Sequence, residues 1–233
     1  MREINLELVE KYFNIFRENK HLYQQDTFEE DPRGLKRTKV NRRLLKYIGE
    51  ARKIMPLREV FNDTALFTAL ITAPYLYDES ISTKLVVNLQ LYYKTIINLG
   101  TEIHEEWARR CEEGEDIGCF GLTELGHGSN VRGIKTIATY DKEAKEFVLH
   151  TPSQDAMKFW IGGAGKSSNT CAIFAQLYVD GVCHGPHAFL VPIRNKENHM
   201  PMSGITLGDC GKKEGLDGID NGFIIFNNFR IPR

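Results

Sequence analysis

Two stretches of this chain gather residue types able to hold a ligand. GLTELGHGSNVRG, from Gly121 to Gly133, places four glycines, a histidine and an acid within thirteen residues. The other, WIGGAGKSS, begins at Trp160. Glycine lets backbone amides come close to a flat or charged ligand, and phosphate is the first chemistry to test. A dinucleotide cradle needs Gly-x-Gly-x-x-Gly between a strand and a helix, because the helix amino end meets the pyrophosphate. Here Gly126 and Gly128 are followed by no glycine before Gly133, and a strand pattern comes next. A nucleoside triphosphate loop ending in Gly165-Lys166-Ser167 needs a glycine five residues before Gly165, and Trp160 occupies that position. Both phosphate readings fail on spacing.

Metal chemistry is the next test. CHGPH, Cys183 to His187, has no evident third ligand nearby, and Gly185-Pro186 predicts a hairpin tip with solvated histidines. His127 reads as a turn residue, and no metal is expected. Two glycine-rich loops then remain, beside Thr123, Ser129 and Trp160, which offer hydroxyls and an aromatic wall to a large flat ligand. The same residues also suit ordinary tight β turns.

The elements that must position these loops change character near residue 115. Before it, Leu8, Tyr12 and Phe16 with Val9 and Phe13 form a helical stripe, and Leu85, Leu89, Tyr92, Tyr93 and Ile96 form another. Gly100 predicts a left-handed helix terminator, and Thr101 a cap for a short helix from Glu102 to about Glu112. Thr64 to Leu76 is apolar almost all round, predicting a helix buried between neighbours and ended early by Pro74. The basic run GLKRTKVNRRLLK (Gly34 to Lys46) reads as a solvated helix face. After Gly118, GIKTIATYD and EFVLHTP predict a hairpin turned by DKEAKE. Further strands are predicted at Cys171 to Tyr178, His187 to Ile193 and Gly222 to Ile231, with a turn at Asn221-Gly222. Helices followed by strands argue against alternating βαβ units.

At 233 residues and 42% hydrophobic content the chain can bury a sizeable core, and its net charge of −1 gives no support to nucleic acid or a membrane surface as partner. Five scattered cysteines without a Cys-x-x-Cys pair suggest a reducing compartment, and no secretory signal or bilayer-length apolar run is evident.

The residues then carry a resemblance. CFGLTELGHGSNVRGIKTIATYD (Cys119 to Asp141), KFWIGGAGKSSN (Lys158 to Asn169) and GLDGIDNGFIIFNNFRIPR (Gly215 to Arg233) resemble the acyl-CoA oxidases and, more distantly, the acyl-CoA dehydrogenases. STKLVVNLQLYYKTIINLGT carries a weaker likeness in the helical part. The resemblance implies an α+β fold: a helical amino-terminal domain, residues 1–115, and a middle antiparallel β-barrel or sandwich domain, 116–233, without the family's carboxy-terminal helical half. It implies FAD as cofactor, with Thr123, Gly162, Trp160 and Ile161 at the flavin and Ser129 at the acyl-CoA. The implied reaction is α,β-dehydrogenation of a fatty acyl-CoA to the trans-2-enoyl-CoA, with O2 reoxidising the flavin to give hydrogen peroxide. The catalytic glutamate is expected in the absent half, so no residue here takes that role, Glu124 included. A homodimer and peroxisomal residence are implied for the full-length form, mitochondrial residence being the alternative. An inactive structural or regulatory relative is the competing reading.

Overall fold

The computed structural model describes residues 5–24 and 32–233. It divides into two compact units, Met1–Asp116 with Lys212–Ile219, and Ile117–Gly211 with Asp220–Arg233.

The first unit is helical: α1 (Leu6–Glu18), α2 (Lys20–Tyr23), α3 (Arg33–Ile54), α4 (Leu57–Asn62), α5 (Thr64–Tyr77), α6 (Glu79–Leu85), α7 (Lys94–Leu99) and α8 (Glu105–Glu112). A π-helical segment, Val86–Tyr93, joins α6 to α7. On α1, Leu8, Tyr12, Ile15 and Phe16 are buried, whereas Val9 and Phe13 of the predicted stripe are only half-buried. The stripe Leu85, Leu89, Tyr92, Tyr93 and Ile96 is buried throughout.

Two expectations are corrected here. The basic run of α3 is not a solvated face: Lys36, Arg37 and Arg43 are buried. Arg43, 1% exposed, donates to the carbonyls of Leu22 (3.0 Å) and Gln24 and faces Asp78 at 3.5 Å. Its planar fork satisfies carbonyls at the end of α2 that the interior cannot leave bare. Gly100 is extended (φ −74°, ψ 171°) rather than left-handed, and it is needed for a different reason. A Cβ there would stand 2.4 Å from the Ile96 carbonyl oxygen, which accepts the Gly100 N–H. Thr101 caps the next segment as expected: its side chain accepts the His104 N–H while its own N–H donates to His104 Nδ1, at the head of a 3-10 turn, Glu102–His104, that runs into α8.

Pro74 lies inside α5 instead of ending it, and only Ala69, Leu70, Ala73 and Pro74 of this helix are buried. Proline cannot donate to the carbonyl four residues back, here Leu70. The buried Tyr47 hydroxyl supplies that donor, 2.6 Å from the Leu70 oxygen. Tyr47→Phe is therefore expected to destabilise the unit by about 1–3 kcal/mol, the cost of an orphaned buried carbonyl. In a Pro74→Ala background, where the backbone at this position regains its N–H, urea denaturation should show a clearly smaller loss; an equal loss would remove this account of the tyrosine.

The second unit holds nine strands: β1 (Gly118–Gly121), β2 (Ile137–Asp141), β3 (Glu146–His150), β4 (Lys158–Gly162), β5 (Thr170–Val179), β6 (Val182–Pro192), β7 (Ile205–Asp209), β8 (Asn221–Phe226) and β9 (Phe229–Pro232). The larger sheet runs β1-β5-β2-β3-β9, with β6 on β5, and the smaller β4-β8-β7. The predicted hairpin is β2–β3, closed at Asp141 opposite Glu146. The sheet is mixed, not purely antiparallel: β1 and β2 both lie parallel to β5, at Gly118 opposite Thr170 and at Ile137 opposite Gln176. The stretch from β1 to β5 contains a hairpin and β4, ample length for a parallel crossover.

The β5–β6 turn falls at Asp180-Gly181, both at positive φ. CHGPH is thus part of β6 rather than the tip, with His184 and His187 exposed beside a register shift between Gln176 and Tyr178. The run Gly222 to Ile231 is two strands, broken where Asn228 takes φ 51°, so that β8 serves one sheet and β9 the other. Asn221-Gly222 is no turn but the start of β8. Glycine is required there by crowding, since a Cβ on Gly222 would stand 2.3 Å from the Gly165 nitrogen.

Candidate functional site

The chain leaves β1 at Leu122 and runs beside β4. Phe159 N–H donates to the Thr123 carbonyl (3.0 Å), and the Thr123 hydroxyl donates to the Phe159 carbonyl at 2.6 Å. Glu124 forms a bridge with Lys158. The two glycine-rich stretches therefore meet, and Thr123 stands next to the strand that carries Trp160. Leu125 and Gly126 continue the contact, donating to the Met157 and Asp155 carbonyls.

Trp160 is 54% exposed and takes φ 62°, within a register shift between Lys158 and Ile161. A bulky residue in the left-handed region is strained by about 1–3 kcal/mol, and such strain gathers at ligand sites. The strain turns the indole out of the sheet instead of into the core. Asn221 Nδ2 holds the displaced carbonyl of Trp160 at 3.1 Å. The next residue, Ile161, is 2% exposed and belongs to the core, while Gly162 closes β4 opposite Asn221. Ser129 lies exposed on the outer part of the Thr123 loop, where its carbonyl accepts the Val131 N–H. His127 holds the base of that loop through Nε2, 3.0 Å from the Gly133 carbonyl.

Beneath Thr123 lies a polar cluster that the sequence did not reveal. The side chains of Glu124 and Lys158 are fully buried and 3.0 Å apart. Glu124 also accepts the Lys135 N–H (2.7 Å), the Thr136 N–H (2.9 Å) and the Thr136 hydroxyl (2.7 Å). Burial pushes its carboxyl upward, but the Thr136 hydrogen bonds and the Lys158 charge outweigh that and hold it below the ordinary glutamate value. Burial lowers Lys158, with Glu124 opposing. The only hint in the sequence was a lysine heading the apolar run KFWIG.

The Gly163–Ser168 loop has a phosphate cradle's glycines and Lys-Ser pair, but its amides are taken. Asp220 Oδ2 accepts the Lys166 and Ser167 N–H groups at 2.6 and 2.7 Å, and Oδ1 accepts the Ser167 hydroxyl at 2.7 Å. The Asp220 carbonyl accepts from Gly163 and Gly165. Arg194 ties the loop from behind through the carbonyls of Ser168 and Ala164. An internal carboxylate thus fills the place an anion would take.

Trp160 offers a wall, and the Thr123 N–H has no acceptor among the described residues, so a hydrogen-bonding edge lies beside an open aromatic face. Residues 119–229 match the acyl-CoA dehydrogenase middle-domain family. Acyl-coenzyme A oxidase 3, peroxisomal, of Arabidopsis thaliana is 45% identical over 166 residues, 71% of this chain and 24% of that protein. The crystal structure of acyl-CoA oxidase 1 from Yarrowia lipolytica superposes on 98% of this chain and 32% of its own, at TM-score 0.83 and 34% identity.

The chain belongs to the acyl-CoA oxidase family.

Acyl-CoA oxidase 1 of Caenorhabditis elegans, solved with FAD and ATP, matches 97% of the chain and 34% of its own length at TM-score 0.75 and 29% identity. The chain thus spans about a quarter of the curated acyl-CoA oxidase and about a third of the solved ones. Within that span lie a helical unit and a mixed-sheet β unit, as in the oxidase structures. No helix among the described residues is long and apolar enough to cross a membrane.

Proposed function

We propose that this chain takes part in the flavin-dependent oxidation of fatty acyl-CoA thioesters, and that the Thr123–Trp160 corner holds the isoalloxazine ring of FAD. The observation that carries the reading is Trp160: an exposed indole, held at positive φ beside a threonine whose amide has no acceptor among the described residues. Bound there, FAD would supply the hydride acceptor for conversion of the thioester to its trans-2-enoyl form and pass electrons to O2, giving hydrogen peroxide.

The protein's share of that chemistry is orientation and solvent exclusion. In this proposal Trp160 and the Gly162 backbone wall the ring, Thr123 sets its polar edge, and Ser129 stands where the acyl-CoA would pass. Ile161 acts through its backbone, because its side chain is in the core. No proton acceptor is assigned at the corner. Glu124 is spent on Lys158 and three further donors and cannot turn toward a substrate. Peroxisomal residence and pairing of two copies belong to the same proposal; the Arabidopsis relative is named peroxisomal, and the mitochondrial alternative finds no support.

The test is FAD titration of the purified protein, alone and supplemented with the remaining part of an acyl-CoA oxidase, followed by peroxide release with a long-chain acyl-CoA. Trp160→Ala should weaken FAD binding by about tenfold or more, the effect of losing an aromatic stacking face. Equal affinity in wild type and Trp160→Ala would refute the corner as the ring site.

A further inference from the structure

One buried cation holds both sequence neighbours of Thr123. Lys158 Nζ donates to the Leu122 carbonyl at 3.2 Å and to Glu124 Oε1 at 3.0 Å. From the other side, the Lys135 and Thr136 amides and the Thr136 hydroxyl fix the Glu124 carboxylate. The single Thr136 hydroxyl proton goes to the carboxylate, the shorter of its two contacts, with the Ala156 carbonyl 3.1 Å from the same oxygen. The result is a closed brace across Leu122, Glu124, Thr136 and Lys158, with Thr123 as the residue inside it that faces outward.

Fold stability alone does not explain this brace. A buried ion pair is often no better for stability than well-packed apolar side chains of the same volume, because desolvation offsets the attraction. An apolar pair, however, could not satisfy the Leu122 carbonyl or fix the angle at which the chain passes Thr123. We infer that Lys158 is a positioning residue: by clamping Leu122 and Glu124 it sets where Thr123 presents its amide and hydroxyl to the flavin ring. The inference rests on the ring-binding reading of the corner. Lys158 does not touch the ring; it acts through Thr123 and through the Phe159 carbonyl bonded to it.

Two variants test it, Lys158→Met and the neutral pair Glu124→Gln/Lys158→Met. The first leaves Glu124 its three other donors but no cation; the second removes both charges, so that it strands no buried charge should the single change fold poorly. Two readouts are taken. Hydrogen exchange of the Phe159 and Leu125 amides, which bond the Thr123 and Met157 carbonyls, should accelerate about tenfold in the variants. Exchange in the β5–β6 ladder should stay slow. The FAD dissociation constant should rise about tenfold, with a shifted visible band for the bound flavin. Unchanged exchange at Phe159 and Leu125 in a folded variant overturns the clamp, and faster exchange with unaltered FAD affinity and spectrum overturns its role toward the ring. If the wild-type protein takes up no flavin, the ring-binding reading fails instead, and the exchange rates still decide whether the clamp exists.

Discussion

Asp220→Ala is expected to loosen the Gly163–Ser168 loop and to cost the β unit about 2–3 kcal/mol, through the loss of three hydrogen bonds to a charged acceptor that weaker acceptors replace only in part. Three donors lose the carboxylate at once, the Lys166 and Ser167 amides and the Ser167 hydroxyl, although both Ser167 groups keep the Gly163 carbonyl, 3.1 Å from the amide and 3.5 Å from the hydroxyl. Water can reach the first, because Lys166 is exposed, but Ser167 is buried. The backbone carbonyl of residue 220 would still accept from Gly163 and Gly165, so the loop should lose its outer half before its inner half. Asp220→Asn is the control. With its amide oxygen toward the two N–H groups and its nitrogen toward the Ser167 oxygen, asparagine can keep all three contacts, and its cost should be about 1 kcal/mol. Urea denaturation of both variants decides the matter; equal losses for Ala and Asn would show that packing, not hydrogen bonding, makes Asp220 important.

Glu124→Gln should be at least as damaging, by about 3–5 kcal/mol near neutral pH, because it strands the Lys158 ammonium in the interior. The pH dependence follows in sign. A carboxylate whose pKa is depressed on folding stabilises the fold above its unfolded value, and that contribution disappears as pH falls through the lower folded value. Glu124 is such a group, so the wild type should lose stability below about pH 4.3. Lys158, lowered by burial, faces the carboxylate as its charged partner. His127, with Nε2 3.8 Å from Glu124 Oε2, is the other titratable side chain facing the carboxylate. The variant should be weaker at neutral pH and should fall less steeply in acid. Thermal midpoints from pH 7 to about pH 3 measure both; parallel curves for wild type and variant would eliminate Glu124 as the titrating group.

The sequence showed the division between helices and strands because it rests on periodicity, and periodicity is local. The stripe from Leu85 to Ile96 and the β2–β3 hairpin were both readable for that reason. Features that depend on distant partners were not. Nothing near Pro74 says that a tyrosine 27 positions earlier will stand in for its missing donor (74 minus 47), so a helix end was expected where none occurs. The same holds for Arg43, whose neighbours are polar in sequence while its partners are carbonyls across the fold. β1 and β2 gave no sign of lying parallel to β5, because strand direction is set by connections, not by composition.

In the candidate site, Thr123 and Trp160 were legible through their setting among glycines and through family resemblance, and the structure brings their segments together. Ile161 was selected with them, yet its side chain faces the core, an outcome of the strand's local bulge. Glu124 is set aside as a base from the sequence, with no sign of its buried partner, and Lys158 and Asp220 carry no sign of their roles. Charged residues in a sequence suggest solvent, and only the fold shows that all three are buried, Glu124 against Lys158 and Asp220 against the Gly163–Ser168 loop.

β5 carries β1 on the first half of one edge and β2 on the second half of that edge, with β6 along the other. Until that strand has emerged from a ribosome, both of its earlier partners wait without a template, exposing backbone groups that any passing strand could capture. Such non-local pairing is slow to form and prone to capture by other chains. The nascent β unit thus has a vulnerable interval that opens with Gly118 and closes only once residues 170–192 are made, and chaperone dependence during synthesis should be concentrated there.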